Sequence, residues 1–190
     1  MTNKIYDTAP EIDTDADLPV TLAQAKAQLR VTFSDDDAEI ERMLNAAIGT
    51  VENFTNTKIR LTTLNIIADL YCELELPYGP HIDVSSVTLQ NGNGAYDDQV
   101  LNTDFFLDII GTPAATGSNT FARFRPYRSG RTKIVCTAGY GALLPDDLRA
   151  AILNELTFRY ANRGDGIQPV VGICEAARRL AMPYRRLQWI

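Results

Sequence analysis

The feature that most constrains this chain is a run of apolar residues at helical spacing in its N-terminal third. The run lies within a helix predicted over residues 35–56, which Ser34 precedes as a capping residue. Its members are Ile40, Met43, Leu44, Ala47, Ile48, Val51 and Phe54. Polar side chains such as Glu41 and Asn45 fall elsewhere on the helix surface. The pattern predicts one long helix with a single buried stripe.

Capping signals predict three further helices. Thr21 and Gln24 form a capping box at the start of a short helix. Pro145 and two aspartates mark the start of another helix, and two arginines with Gly164 mark its end. A last helical face continues until Pro183 ends it. The four predicted helices span residues 21–30, 35–56, 146–162 and 171–182.

The middle of the chain is rich in β-forming residues. Strands are predicted near residues 63–71, 84–89, 104–109, 121–125 and 133–137. The sequence Asn-Gly-Asn-Gly at 91–94 is a tight-turn signal, which favours antiparallel pairing. Residues 111–120 are almost wholly small or polar, which predicts an extended, mobile loop.

These elements predict an α+β fold. An N-terminal helical pair and C-terminal helices pack with a small antiparallel sheet, inserted between them over residues 62–137. The 190 residues suffice for one core, so a single domain is expected over residues 18–183. An acidic arm at 1–17 precedes that domain, and an arm at 184–190 follows it.

Several motifs occur in a fixed order along the chain. They are Leu22-Ala23-Gln24-Ala25-Lys26, Leu29-Arg30, Asp35-Asp36-Asp37, Glu52-Asn53-Phe54-Thr55-Asn56, Thr137-Ala138-Gly139-Tyr140-Gly141, Pro145-Asp146-Asp147 and Tyr160-Ala161-Asn162-Arg163-Gly164. In this order, over the region from Leu18 to Tyr184, the chain resembles phage head-tail connector (adaptor) proteins.

The resemblance implies a structural role in a virion. A ring of twelve copies would lie beneath the portal protein, with the helices as its body and the β part facing a tail, stopper or tail-terminator protein. Genomic DNA would pass through the lumen without sequence recognition. The protein would reside in the virion neck after assembly in the host cytoplasm, with no membrane, cofactor or enzymatic activity.

Charge is unevenly distributed along the chain. Residues 1–120 hold 6 basic and 19 acidic residues, a net charge of −13, whereas residues 121–190 hold 12 and 5, a net charge of +7. The two halves could pair within one folded chain, which is the simpler explanation. A ring could instead bring opposite charges of neighbouring subunits together. The candidate subunit-interface residues are Asp35, Asp36, Asp37, Glu41, Arg123, Arg125, Arg128 and Arg131.

The last residues combine aromatic, apolar and basic side chains. Trp189 is the single tryptophan, and it lies beside apolar residues and two arginines. Such residues commonly anchor interfaces, although the segment could also pack on its own domain. The resemblance implies portal docking for Tyr184, Arg185, Arg186, Leu187, Gln188, Trp189 and Ile190.

Catalytic and metal-binding motifs are poorly represented. His81 is the single histidine and is predicted to lie in a surface loop. The aspartates at 35–37 fit a helix start better than a calcium loop, and neither glycine-rich segment carries a phosphate-binding pattern. Cys72, Cys136 and Cys174 are expected to be reduced core residues.

The alternative function is a small nucleic-acid-binding packaging accessory protein. Residues 123–128 interleave basic and aromatic side chains, an arrangement that can bind single strands. A strand with one solvated face explains the same segment equally well.

Overall fold

A computed structural model describes residues 3–12, 19–110, 121–163 and 172–186 of the chain. The chain divides into two compact units. Residues 1–16 and 60–140 form a β unit, and residues 17–59 and 141–190 form a helical unit. The α+β class is confirmed. The β unit is not a simple insertion between helices, however, because its first strand precedes them.

The described residues of the β unit form two antiparallel sheets. Its strands are β1 (Lys4–Ile12), β2 (Thr62–Leu70), β3 (Leu74–Glu75), β4 (His81–Gln90), β5 (Tyr96–Asp98), β6 (Phe105–Ile110), β7 (Phe121–Pro126) and β8 (Gly130–Ala138). The five-stranded sheet has the order β1-β2-β8-β4-β5, and the three-stranded sheet has the order β3-β7-β6. Neighbouring strands pair antiparallel throughout, as the turn signals predicted.

Alternation of side chains builds the core of the β unit. In β2 and β8 every second residue is buried, which is the period of a strand with one face covered. The core cluster draws on both sheets and comprises Leu64, Ile66, Ala68, Leu70, Leu74, Leu76, Val87, Phe105, Phe124, Ile134, Cys136 and Ala138. Each large side chain buried in this way stabilises the fold by roughly 1.5–3 kcal/mol.

The predicted acidic arm at residues 1–17 is wrong for residues 4–12, which form β1. This strand pairs with β2 from Lys4 opposite Asp69 to Ile12 opposite Thr62. The side chain of Asn3 accepts a hydrogen bond from the Tyr71 N–H at 2.9 Å. Without β1, the backbone groups along that side of β2 would lack strand partners.

The described part of the helical unit forms four helices. They are α1 (Leu22–Leu29), α2 (Asp37–Thr55), α3 (Asp146–Ala161) and α4 (Glu175–Ala181). The predicted capping box is present: the Gln24 N–H donates to Thr21 Oγ1 at 3.2 Å, and the Thr21 N–H donates to Gln24 Oε1 at 2.9 Å. Helix α3 packs against the other three helices.

Two local predictions for α2 need correction. Asp36, not Ser34, is the N-cap residue, and its side chain makes no capping hydrogen bond. Instead the Ser34 carbonyl accepts from the Asp37 N–H at 3.1 Å. Six members of the predicted stripe are buried, but Phe54 is only half-buried.

Candidate functional site

The C-terminal segment is fixed to the helical unit through Arg186. Met182–Tyr184 form a 3-10 turn, in which Pro183 needs no hydrogen-bonding N–H. The Arg186 N–H then donates to the Thr55 carbonyl at 2.8 Å, and its own carbonyl accepts from the Asn56 side chain at 3.0 Å. Thr55 ends α2, so this contact satisfies one of the carbonyls that a helix end leaves open.

The side chains of this segment also contact the helical unit. Tyr184 is buried, and its hydroxyl donates to Asp147 Oδ2 at 3.4 Å. Burial, together with the Asp147 carboxylate, raises the pKa of Tyr184 above its usual value. The Arg185 guanidinium lies 5.4 Å from the centre of the Phe54 ring.

The prediction of an arm at 184–190 is therefore wrong for Tyr184, Arg185 and Arg186, which contact their own helical unit. Leu187–Ile190 lie outside the described residues. The sequence predicted that the last helix ends at Pro183. It did not indicate that Arg186, three residues later, would hydrogen-bond to the end of α2.

Two of the four candidate interface acids at the start of α2 have partners in their own chain. Asp36 accepts a hydrogen bond from the Tyr160 hydroxyl at 2.9 Å and pairs with Arg163 at 3.3 Å. Asp37 pairs with Lys26 of α1. The other two candidates, Asp35 and Glu41, are exposed. No described residue pairs with either of them.

The candidate interface arginines of the β unit are also largely paired within the chain. Glu73 pairs with Arg125 at 2.8 Å and with Arg123 at 3.5 Å. Asp69 pairs with Arg131 at 3.3 Å. Arg128 is exposed, and no described carboxylate pairs with it.

Asp69 belongs to a small polar cluster that ties β1 to the sheet. Tyr6 donates to Asp69 Oδ2 at 2.6 Å, and the Arg131 guanidinium lies 4.6 Å from the centre of the Tyr6 ring. The hydrogen bond from Tyr6, reinforced by Arg131, lowers the pKa of Asp69 below its usual range. The carboxylate thus stays charged where it holds three strands together.

Three residues of the segment considered for nucleic-acid binding have partners in their own chain. Phe124 is buried and stacks on Phe105, with ring centres 5.0 Å apart. Arg123 and Arg125 share Glu73, as described above. Tyr127 and Arg128 remain exposed. A nucleic-acid strand would need several open aromatic faces and unneutralised cations, so this geometry favours the structural explanation.

An exposed apolar cluster was missed by the sequence analysis. Val100, Leu101, Phe106 and Tyr127 are each between 39% and 59% exposed. Phe106 and Tyr127 meet edge to face, with ring centres 5.1 Å apart. The signal was present as adjacent Phe105 and Phe106, because neighbouring residues of a strand point to opposite faces and only one could enter the core.

The remaining candidates for chemistry differ in part from expectation. His81 begins β4 rather than lying in a loop. Cys136 and Cys174 are buried, as predicted, and burial raises the pKa of Cys136 to about 12. Cys72 is exposed, contrary to prediction, because it lies just beyond the end of β2.

In the described parts of the chain, no three histidine, cysteine, aspartate or glutamate side chains converge as metal ligands would. None of the described helices is long and apolar enough to cross a membrane.

Solved structures resemble this fold over nearly the whole chain. The chain described as "Neck of empty GTA particle computed with C6 symmetry", a gene transfer agent, matches with a TM-score of 0.70 and 20% identity, covering 100% of this chain and 98% of that chain. "Virion of native gene transfer agent (GTA) particle" matches with a TM-score of 0.70 and 20% identity, covering 95% of this chain and 97% of that chain. "Neck of native GTA particle computed with C12 symmetry" matches with a TM-score of 0.63 and 20% identity, covering 93% of this chain and 96% of that chain.

Sequence comparison gives a more local match. No curated protein matches this chain. Residues 19–90 match the family model described as "Phage gp6-like head-tail connector protein". The match includes α1 and α2, where the N-terminal motifs lie, and it extends through β4. Over residues 19–90 the chain is thus similar to the phage gp6-like head-tail connector family, which its motifs also resemble.

Proposed function

We propose that this chain is a structural head-tail connector of a tailed phage or phage-like particle. The observation that carries the proposal is the family match of residues 19–90, on a chain whose fold resembles neck structures from end to end. Twelve copies would form a ring beneath the portal, extend the DNA channel and join head to tail. One of the similar structures was computed with twelve-fold symmetry, which supports this number.

The proposed partners follow from that position. The ring would contact the portal protein on one side and a tail, stopper or tail-terminator protein on the other. Genomic DNA would pass through the lumen without sequence recognition. The sequence carries a net charge of −6, and an acidic lining would retain phosphates less strongly than a basic one. The role needs no catalysis, and its site is the virion neck.

The proposed portal contact is the C-terminal segment from Tyr184 to Ile190. Arg186 is held at both its N–H and its carbonyl, so docking would be led by the apolar and aromatic residues that follow it. Among the candidate subunit-interface residues, Asp35, Glu41 and Arg128 are the best supported. They are exposed, and the described part of their own chain leaves them without an ion-pair partner.

Light scattering with and without the purified portal tests the proposal. We expect the isolated protein to be monomeric or weakly associated and to close into a ring on the portal, because interfaces that close on a template are weak alone. A charge-reversed Arg128→Glu variant should fold normally but assemble less completely. Failure of the portal from the same particle to recruit the wild-type chain would refute the connector role.

A further inference from the structure

Strand β1 is attached to the β unit along one side. Among the described strands it pairs only with β2, at the edge of the five-stranded sheet. The side chains at its start, Lys4, Ile5 and Tyr6, are all exposed. An edge strand with exposed side chains can open locally, because its opening disrupts little apolar packing. At this end of β1, attachment therefore depends on hydrogen bonds.

The backbone pairing between β1 and β2 is interrupted near its start. Ile5 lies opposite Ala68, and the next paired residue, Asp7, lies opposite Ile67. Tyr6 is therefore an extra residue that no residue of β2 opposes, and a bulge of this kind locally disrupts the ladder. The residues after the bulge follow β2 in unbroken register. Before the bulge, side chains reinforce the attachment.

The side chain of Asn3 binds the turn that follows β2. Its amide oxygen accepts from the Tyr71 N–H at 2.9 Å and from the Cys72 N–H at 3.2 Å. Its amide nitrogen donates to the Glu73 carbonyl at 3.0 Å and to the Cys72 carbonyl at 3.4 Å. One side chain thus ties the beginning of β1 to both donors and acceptors of this turn.

The side chain of Tyr6 makes a second connection at the bulge itself. Its hydroxyl donates to Asp69 Oδ2 of β2 at 2.6 Å. Arg131 of β8 pairs with the same carboxylate at 3.3 Å, and its guanidinium lies over the Tyr6 ring. Lys4 Nζ lies 5.0 Å from the centre of that ring. Asn3, Tyr6 and Asp69 thus form a polar latch at the N-terminal end of β1.

We propose that β1 is a releasable strap on the edge of β2. It opens from β2 while the rest of the β unit stays folded, and the latch of Asn3, Tyr6 and Asp69 sets how often it opens. An open strap leaves β2 as a nine-residue edge that has no proline or lysine and no register shift against β8. Such an edge is a template for pairing with other chains, so the closed strap is an autoinhibitory contact. This property of the β unit is independent of the proposed ring role.

Amide hydrogen exchange of the full chain tests the strap. In the wild-type protein the β1 amides should have protection factors at least about tenfold below those of β8, the middle strand of the sheet. Their exchange should change little in dilute denaturant, because a local opening exposes little surface. Equal protection of β1 and β8 would show that the strand opens only with the whole unit, and unprotected β1 amides would show that no closed strap exists. Either result overturns the proposal.

Two substitutions test the latch by the same measurement. Tyr6→Phe removes the hydroxyl and keeps the ring, while Asn3→Ala removes the side-chain bonds to residues 71–73. Each should speed exchange in β1 by about two- to tenfold, as expected for a lost hydrogen bond, and leave β8 unchanged. Tyr96→Phe is the matched control, since Tyr96 is an exposed tyrosine of the opposite edge strand, β5, and it should not affect β1. Folded latch variants with unaltered β1 exchange, or with β1 and β8 accelerated equally, would overturn the proposal.

Discussion

At the scale of single residues, Gly139 is a position where a side chain would collide with the backbone of another segment. It follows β8 with a φ of +131°, and its N–H donates to the Pro80 carbonyl at 2.8 Å. A Cβ added there would overlap the carbonyl oxygen of Arg60. The sequence marked this glycine only as a break after a strand, because the approach of a distant backbone segment leaves no local signal.

Gly139→Ala should lower the free energy of unfolding by about 1–3 kcal/mol from backbone strain, and further because Arg60 must move. Chemical denaturation followed by circular dichroism measures the change. Gly92→Ala is the control, since no heavy atom lies within 4 Å of a Cβ built there, and it should shift stability by no more than about 0.5 kcal/mol. Equal effects of the two substitutions would refute the steric explanation.

At the scale of elements, one buried carboxylate connects three helices. Glu155 on α3 is almost fully buried and pairs with Arg159 one turn later at 2.9 Å. Its other oxygen accepts from the Cys174 N–H at 2.8 Å, at the start of α4. Arg159 in turn donates to Thr50 Oγ1 of α2 at 2.8 Å. Tertiary contacts of this kind matter for α4, because a helix of seven residues is too short to be stable alone.

Glu155→Gln should destabilise the helical unit by about 2 kcal/mol, because a charge-assisted hydrogen bond is lost in a buried setting. Urea denaturation gives the size of the effect. Hydrogen exchange should show the largest loss of protection in α4.

Glu175→Gln is the matched control. Glu175 likewise forms ion pairs within its own helix, with Arg178 and Arg179, but its side chain is 58% exposed. Loss of the Glu175 ion pairs should lower the free energy of unfolding by less than about 1 kcal/mol. A larger effect at Glu175 than at Glu155 would contradict the importance of burial.

At the scale of the whole molecule, ion pairs within each unit join acidic and basic residues that lie far apart in the sequence. Asp36 with Arg163, Glu73 with Arg125 and Asp69 with Arg131 each join the acidic part of the chain to the basic part. Charge summed along a sequence does not reveal such pairs, since folding brings together residues far apart in the chain. The simpler intrachain explanation therefore accounts for part of the asymmetry.

The distinction between local signals and long-range contacts also separates the elements that the sequence could predict from those that it could not. Helix α2 followed from its apolar stripe, and α1 followed from the Thr21 and Gln24 capping box, because both signals are local. Strand β1 could not be predicted in this way, since its acidic sequence forms a strand only by pairing with β2. The division into two sheets likewise depends on long-range pairing. Portal docking and subunit contacts depend on other chains, so they stay predictions.

The C-terminal segment gives a prediction that joins the fold to the proposed role. Deletion from Leu187 onward should leave the melting temperature nearly unchanged, because the anchoring contacts of Tyr184 and Arg186 remain. Deletion from Tyr184 onward should lower it by several degrees, since a buried aromatic site is emptied at a cost of roughly 3–5 kcal/mol. Both melting and binding to the purified portal would be measured on each truncated protein.

The shorter deletion decides the portal contact, because it separates docking from folding. If residues 187–190 dock, that protein should fold normally yet lose portal binding, since one partner-buried tryptophan can contribute about 2 kcal/mol or more. Trp189→Ala in the full chain should reproduce the loss without changing the melting temperature. A shortened protein that still binds the portal would exclude a docking role for these residues, and one that melts early would instead show that they pack on their own chain.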